Sequence, residues 1–268
     1  MYVRYIKACL LLLLYCSTTH IVQAQKDDAA ELAKKLSNPV SSLISVPFQN
    51  NNDYGIGKFR GSRNTMNIQP VVPVALTPKL NLITRIIMPV ITQNSITEAG
   101  KKQFGLGDFV LSGFISPSQS KNGVTWGAGP VFLLPTGTND YLASKKFGIG
   151  PTAVGLKQTG GWTFGALVNQ VWSVAGDKDR ADVNQMFLQP FLFYNWKSGA
   201  GLGVNSEYTQ NWQSHTTNIF LNPLLSGVTS VGKQKVQLGV GPRINIIAPS
   251  EIRAEWGWRT VLVLLFPK

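Results

Sequence analysis

Cysteine is almost missing from this chain: its only two, Cys9 and Cys16, both lie within the first 16 residues. Histidine is as scarce, with His20 and His215 alone. Beyond residue 24 there is therefore no disulfide staple, no thiolate nucleophile, no His-cluster zinc site and no Cys/His dyad. Charge is thin as well. Only 14% of the 268 residues are charged, against roughly 25% in a soluble domain. The shortfall is filled by 26 Gly and many small polar residues while hydrophobic content holds at 44%, so the composition is not that of a disordered chain. Past residue 24 no apolar run approaches the ~20 residues of a helical membrane span, which argues against a helical bundle in the bilayer.

The first 24 residues read as a secretory leader. Arg4 and Lys7 form a basic start, Ala8 to Cys16 an apolar stretch of secretory length, and Val22-Gln23-Ala24 a cleavage signal before Gln25. Tyr15 before Cys16 argues against a lipoprotein. Removing the leader leaves 23 basic and 13 acidic residues, a net charge of +10. In an exported chain with no basic helical stripe, that excess suits lipopolysaccharide, an anionic membrane surface or anionic solutes, and not nucleic acid. The expected division is 1–24 leader, 25–41 N-terminal segment and 42–268 a single β domain.

Asp27 to Leu36 has helical composition, with Leu32 and Leu36 one turn apart and Asn38-Pro39 as a stop. From about Ser42 onward the period becomes two. Leu202–Trp212 sets Leu202, Val204, Tyr208 and Trp212 against Gly203, Asn205, Glu207 and Asn211. Val236–Ile246 and Trp256–Phe266 alternate in the same way. The pattern predicts twelve strands at about 43–57, 64–76, 79–92, 106–117, 123–135, 147–158, 161–174, 185–197, 200–212, 215–227, 233–248 and 254–267, the first being the least regular.

Three features favour a membrane barrel over a soluble sandwich. Charges such as Lys101-Lys102, Lys145-Lys146 and Asp177 to Asp182 sit between strands. Aromatics, including Trp126, Trp162, Trp172, Trp212, Trp256 and Trp258, gather towards strand ends as interfacial girdles do. The polar face is Gly, Asn, Gln and Thr with scattered charge, as suits a hydrated lumen. Strand prolines, among them Pro70, Pro130, Pro151 and Pro242, predict bulges or breaks in a ladder that has no free edge. The expected fold is thus all-β: a closed antiparallel transmembrane β-barrel of about 12 strands with a short N-terminal helical segment, in a Gram-negative-type outer membrane.

Motifs spread along the chain carry a resemblance. They include Leu36-Ser37-Asn38-Pro39, Ser45-Val46-Pro47-Phe48, Asn67-Ile68-Gln69-Pro70, Gly105-Leu106-Gly107-Asp108, Trp126-Gly127-Ala128-Gly129-Pro130, Gly165-Ala166-Leu167-Val168-Asn169-Gln170 and the closing Leu264-Leu265-Phe266-Pro267-Lys268. In that order they resemble the outer-membrane transporter family named for the MetA pathway of phenol degradation, some members of which are labelled neuromedin U. The resemblance implies an exported barrel of transport function, with hydrophobic or aromatic small solutes suggested by the family name. It brings no catalytic motif.

On the face assigned to the lumen stand Arg85, Asp108, Asn169, Gln189, Glu207, Arg243 and Arg259, with Asn67, Gln69, Asn205 and Asn245. They are candidates for a selectivity lining in which basic groups favour anions and amides bind polar solutes. In the competing reading, Arg85, Arg243 and Arg259 pair with Asp108 or Glu207 and simply hold the barrel together. Arg243 and Arg259, on consecutive strands, make the best basic ladder. The segment 25–39 is either a plug or a periplasmic tail.

Two alternatives stay open: a closed structural or anchoring barrel, and an outer-membrane lipid hydrolase. Ser214-His215 is the one pair that could serve the latter, but neighbours on a strand face opposite ways. No catalytic residue, cofactor or metal is assigned. Gly148-Ile149-Gly150 precedes no helix, and Asp177 to Asp182 lacks the Gly and terminal Glu of a calcium loop. Expected partners are outer-membrane lipid, lipopolysaccharide and an unidentified small solute.

Overall fold

The computed structural model describes residues 29–266; the leader, its cleavage point and Pro267-Lys268 lie outside them. A helix, α1, occupies 29–36. Fifteen strands follow. They are β1 (Ile44–Ile56), β2 (Gly61–Ile68), β3 (Val71–Thr77), β4 (Leu80–Asn94), β5 (Lys102–Leu106), β6 (Phe109–Pro117), β7 (Val124–Leu134), β8 (Lys146–Thr159), β9 (Trp162–Gly176), β10 (Asn184–Asn195), β11 (Ala200–Asn211), β12 (Thr216–Val231), β13 (Gln234–Pro242), β14 (Ile244–Ile247) and β15 (Trp256–Phe266). Three pairs, β2/β3, β5/β6 and β13/β14, are each one stave with an interruption, because both members pair with the same neighbour. The staves therefore number twelve, all antiparallel to their neighbours in chain order. The first and last close the ring through Ile44↔Phe266 to Tyr54↔Trp256.

Closure follows from the bilayer, where every backbone N–H and C=O must find its partner inside the protein. Among the described residues no helix is long and apolar enough to cross a membrane. The alternation is inside-out relative to a soluble barrel. Leu202, Leu225, Leu238, Val240 and Trp258 face outward and are exposed, whereas Arg259, Asn222, Thr163 and Gln93 are buried inside. All seven tryptophans are 42–58% exposed, which places them on the outer surface. Trp162 and Trp196 both pack against Tyr194 at the end bearing α1, and Trp256 stacks on Tyr54 at the other, giving two girdles. Turns at the α1 end are short, as at 160–161 and 232–233; the far end carries the loops 95–101, 135–145, 177–183 and 248–255. Short turns on one side and long loops on the other are characteristic of outer-membrane barrels.

The strand prolines act as the sequence suggests. The β2/β3 stave breaks at Gln69-Pro70 and the β13/β14 stave just after Pro242. Pro130 and Pro151 face each other across β7 and β8. Missing their N–H groups, they coincide with gaps in the neighbouring β6–β7 and β8–β9 ladders. Glycine lets the wall close there: a Cβ on Gly150 would lie 1.7 Å from the Gln170 carbonyl oxygen.

The segment from α1 to β1 packs into the barrel end. Val40 joins a buried cluster with Ile83, Phe114, Val154, Leu156, Leu167 and Phe191, and Leu32, Ala33 and Leu43 pack on Val228, Val263 and Leu265. Burying Leu32, Val40 and Leu43 contributes on the order of 5 kcal/mol before ordering entropy is deducted. Polar ties fix its position. Gln158 Nε2 donates to the Lys34 carbonyl at 2.8 Å, Asn195 Nδ2 to Ser37 Oγ at 2.9 Å, and Asn81 Nδ2 to Ser42 Oγ at 3.1 Å.

Candidate functional site

Inward positions of the staves line two chambers, one above the other. The chamber towards the loops holds about 400 Å³ and is roofed by Ile252 and Ala254 of the 248–255 loop. Asn245 holds that roof, accepting the Ala254 N–H at 3.0 Å. The chamber towards α1 holds about 210 Å³ and is floored by Leu36 to Pro39 and Ser41. Gln49, Gln69, Arg85 and Gln189 line both and form the waist between them.

Charge is gathered on the polar wall. The charged side chains lining the chambers are Arg63, Arg85, Arg243 and Arg259 with Asp53 and Glu207, an excess of two positive charges. Glu207 on β11 bridges two arginines. Its Oε2 accepts from Arg243 Nη1 and its Oε1 from Arg259 Nη2, each at 2.7 Å. Arg243 also donates to Asp53 at 3.1 Å and to Asn222 at 3.0 Å, and lies 3.5 Å over the Phe220 ring. Arg259 completes its set on Asn51 Oδ1 at 2.7 Å. It is only 1% exposed, and so depends on these partners. The break after Pro242 takes Arg243 out of the ladder with β12 while its N–H still reaches the Gly257 carbonyl.

Arg63 and Arg85 differ from that pair in forming no ion pair among the described residues. Arg63 donates twice to Gln93 Oε1, at 3.0 and 2.8 Å, heading an amide chain through Gln103 to Thr97. Its cross-strand neighbour is Asp53, so its charge has a counterpart nearby. Among the described residues the Arg85 side chain makes one hydrogen bond, to Gln69 Oε1 at 2.6 Å, out of the five its guanidinium can donate, and it lines both chambers.

Of the residues singled out from sequence, Arg85, Asn169, Gln189, Glu207 and Arg243 line the upper chamber and Arg259 the lower. Asp108 is elsewhere. It falls in the break between β5 and β6, where the alternation is interrupted, and its carboxylate binds the 135–145 loop. There it accepts the N–H groups of Gly137, Ser144 and Lys145 and the Ser144 hydroxyl. It pairs with none of the arginines. Asp53, Arg63, Gln49 and Asn51 join the site without having been singled out. For Gln49, Asn51 and Asp53 the signal was available only as charge and amide density in a run, Gln49 to Asp53, that has no hydropathy alternation, and Arg63 lies outside that run, on β2.

Ser214 and His215 form no dyad. Ser214 Oγ lies 2.8 Å from Thr216 Oγ1, and His215 sits in the tight turn with φ of 53°. Among the described residues no group of His, Cys, Asp and Glu is placed to hold a metal ion.

No family model matches the sequence, and no curated protein does either. The structure is similar to the crystal structure of an outer-membrane channel from Pseudomonas putida F1. The TM-score is 0.64 at 15% identity, over 84% of this chain and 94% of that one. Weaker likenesses reach outer membrane phospholipase A from Escherichia coli, with TM-score 0.47, 12% identity and 82% and 92% coverage. The corresponding Salmonella typhi phospholipase follows, with TM-score 0.45, 12% identity and 82% and 90% coverage. At such identities the likeness to the channel speaks to the fold: a closed barrel of the outer-membrane kind.

Proposed function

We propose that this chain is an outer-membrane channel for the passive passage of small solutes, with a preference for anions set at the waist. The observation that carries the reading is Arg85, a cation with no ion pair among the described residues, at the waist between two chambers aligned along the barrel. A cation in a low-dielectric constriction raises the local anion concentration and repels cations, which is how charged rings select in pores. Glu207 and Asp53 are ion-paired to Arg243 and Glu207 also to Arg259, so those two arginines hold the wall in shape, while Arg85, at the waist and outside these ion pairs, selects.

The rest of the reading follows from orientation. The chain is exported with its leader removed before Gln25, the α1 end faces the periplasm, and the long loops face outside. The exposed apolar belt and tryptophan girdles meet outer-membrane lipid, and the basic excess suits lipopolysaccharide. The resemblance to the phenol-pathway transporter family supports solutes that carry apolar or aromatic groups.

Single-channel recording of the refolded chain in a planar bilayer tests this. Steady openings are expected. A folded barrel that stays silent would favour the second reading, a closed structural barrel, for which the packing of Val40 and α1 at the periplasmic end is the specific observation.

A further inference from the structure

The upper chamber is two-sided. Arg85, Gln49, Gln69 and Asn51 stand on one part of its wall, and Val110, Leu133, Leu167 and Phe187 form an apolar patch on β6, β7, β9 and β10, with Ser112, Asn169 and Gln185 beside it. A plain aqueous pore needs no such apolar wall, since exposing it to water is unfavourable. Its volume, about 400 Å³, lies within the roughly 300–1,000 Å³ usual for small-molecule sites.

Register brings the two surfaces to one level. Arg85 is paired with Ser112, and Ile87, the next inward residue of β4, with Val110. Val110 is in turn paired with Leu133. On the opposite wall Gln189, a waist residue, is paired with Leu167, and Phe187 is the next inward residue above it. The Arg85 guanidinium therefore lies one inward step below the level of Ile87, Val110 and Leu133, with the Gln189 amide at the waist across from it.

We infer that this chamber is a binding site for a small organic monoanion with an apolar body. The carboxylate is held by Arg85 and Gln189, and the body lies against Val110, Leu133, Leu167 and Phe187. The inference rests on the channel reading for its biological sense, since the site would load a solute at the waist it must pass. Arg suits the carboxylate because its planar fork matches two oxygens at once. Neutral hydrocarbons would leave Arg85 without its counter-charge, and small hydrophilic anions would leave the apolar wall wet.

Isothermal titration of the chain in lipid nanodiscs, with empty discs subtracted, tests the site using hexanoate, acetate and hexylammonium as probes. Hexanoate is expected to bind saturably, and acetate about ten-fold more weakly from partial burial of the extra methylenes. Hexylammonium, with the same body and opposite charge, is expected not to bind. Arg85→Gln should abolish hexanoate binding while Arg85→Lys keeps part of it, and Phe187→Ser should weaken hexanoate but not acetate. Equal binding of hexanoate and acetate, or unchanged binding in Arg85→Gln, would overturn the site. A barrel that conducts chloride without preferring hexanoate overturns the site and leaves the channel standing. A silent barrel that binds hexanoate through Arg85 keeps the site and overturns passage.

Discussion

Replacing Glu207 by Gln removes one carboxylate from between two buried guanidiniums. Arg243 retains Asp53 and Asn222, so the loss falls on Arg259, which is left with Asn51 alone. The Gln amide can accept from one guanidinium, but its NH₂ then points at the other, donor against donor. Breaking a buried pair by removing one partner costs about 3–5 kcal/mol. The lumen is partly hydrated and Arg243 keeps its other partners, so the lower end, about 3 kcal/mol, is expected. Urea unfolding in phospholipid vesicles reads this directly, because the tryptophans lie on the lipid-facing surface. With a slope of about 2 kcal/mol per molar urea, the midpoint should fall by about 1.5 M. Arg259→Met in the same chain should restore most of the loss, since a buried charge is then no longer unpaired. A Glu207→Gln midpoint within about 0.3 M of the parent would refute the argument that this carboxylate holds the wall together.

Val40→Asp puts a carboxylate among Ile83, Phe114 and Phe191; it should undock the N-terminal segment and raise single-channel conductance, as should deletion of residues 25–41. Unchanged conductance in both would mean the segment does not narrow the path. Gly150→Ala, with no room against the Gln170 carbonyl, should lower the urea midpoint, by about 1 M for a cost of about 2 kcal/mol, whereas Gly155→Ala, which meets nothing, should not. Asp182 in the 177–183 loop is held below the usual carboxylate range by its hydrogen bond from Lys146 and that ammonium's charge, with a further bond from Ser173. A depressed carboxylate stabilises above its unfolded pKa and loses that contribution as pH falls through the folded value. Hydrogen exchange of this loop, corrected for intrinsic rates, should therefore show less protection at pH about 3 than at about 6. Asp182→Asn should remove the difference.

The stave count and facing were legible because lipid outside and water inside enforce period two over nearly every strand. Leu202 to Trp212 and Trp256 to Phe266 sort into outer and inner faces as their hydropathy says, which puts Glu207 and Arg259 inside. The pattern misled at a break. Asp108 has the parity of Val110 and Ser112, but β5 ends at Leu106 and Asp108 turns to the 135–145 loop before β6 begins. It was silent in β1, where Asn50, Asn51, Asn52 and Asp53 are polar on both faces. Asn50 and Asn52 face outward to Asn64, whereas Asn51 and Asp53 hold the lumen arginines. Which arginines stay outside the ion pairs was beyond one-dimensional reading. Arg243 and Arg259 stood out by lying on consecutive strands, but that same proximity lets one Glu207 bind both. Arg85 is set apart only by the register that leaves Gln69 as its partner.

The measurement that bears most directly on the account is the reversal potential across a potassium chloride gradient, for the parent and for Arg85→Gln. A potential of anion-selective sign is expected for the parent, moving towards zero when Arg85 is neutralised. A cation-selective potential, or one that Arg85→Gln leaves where it was, would contradict it.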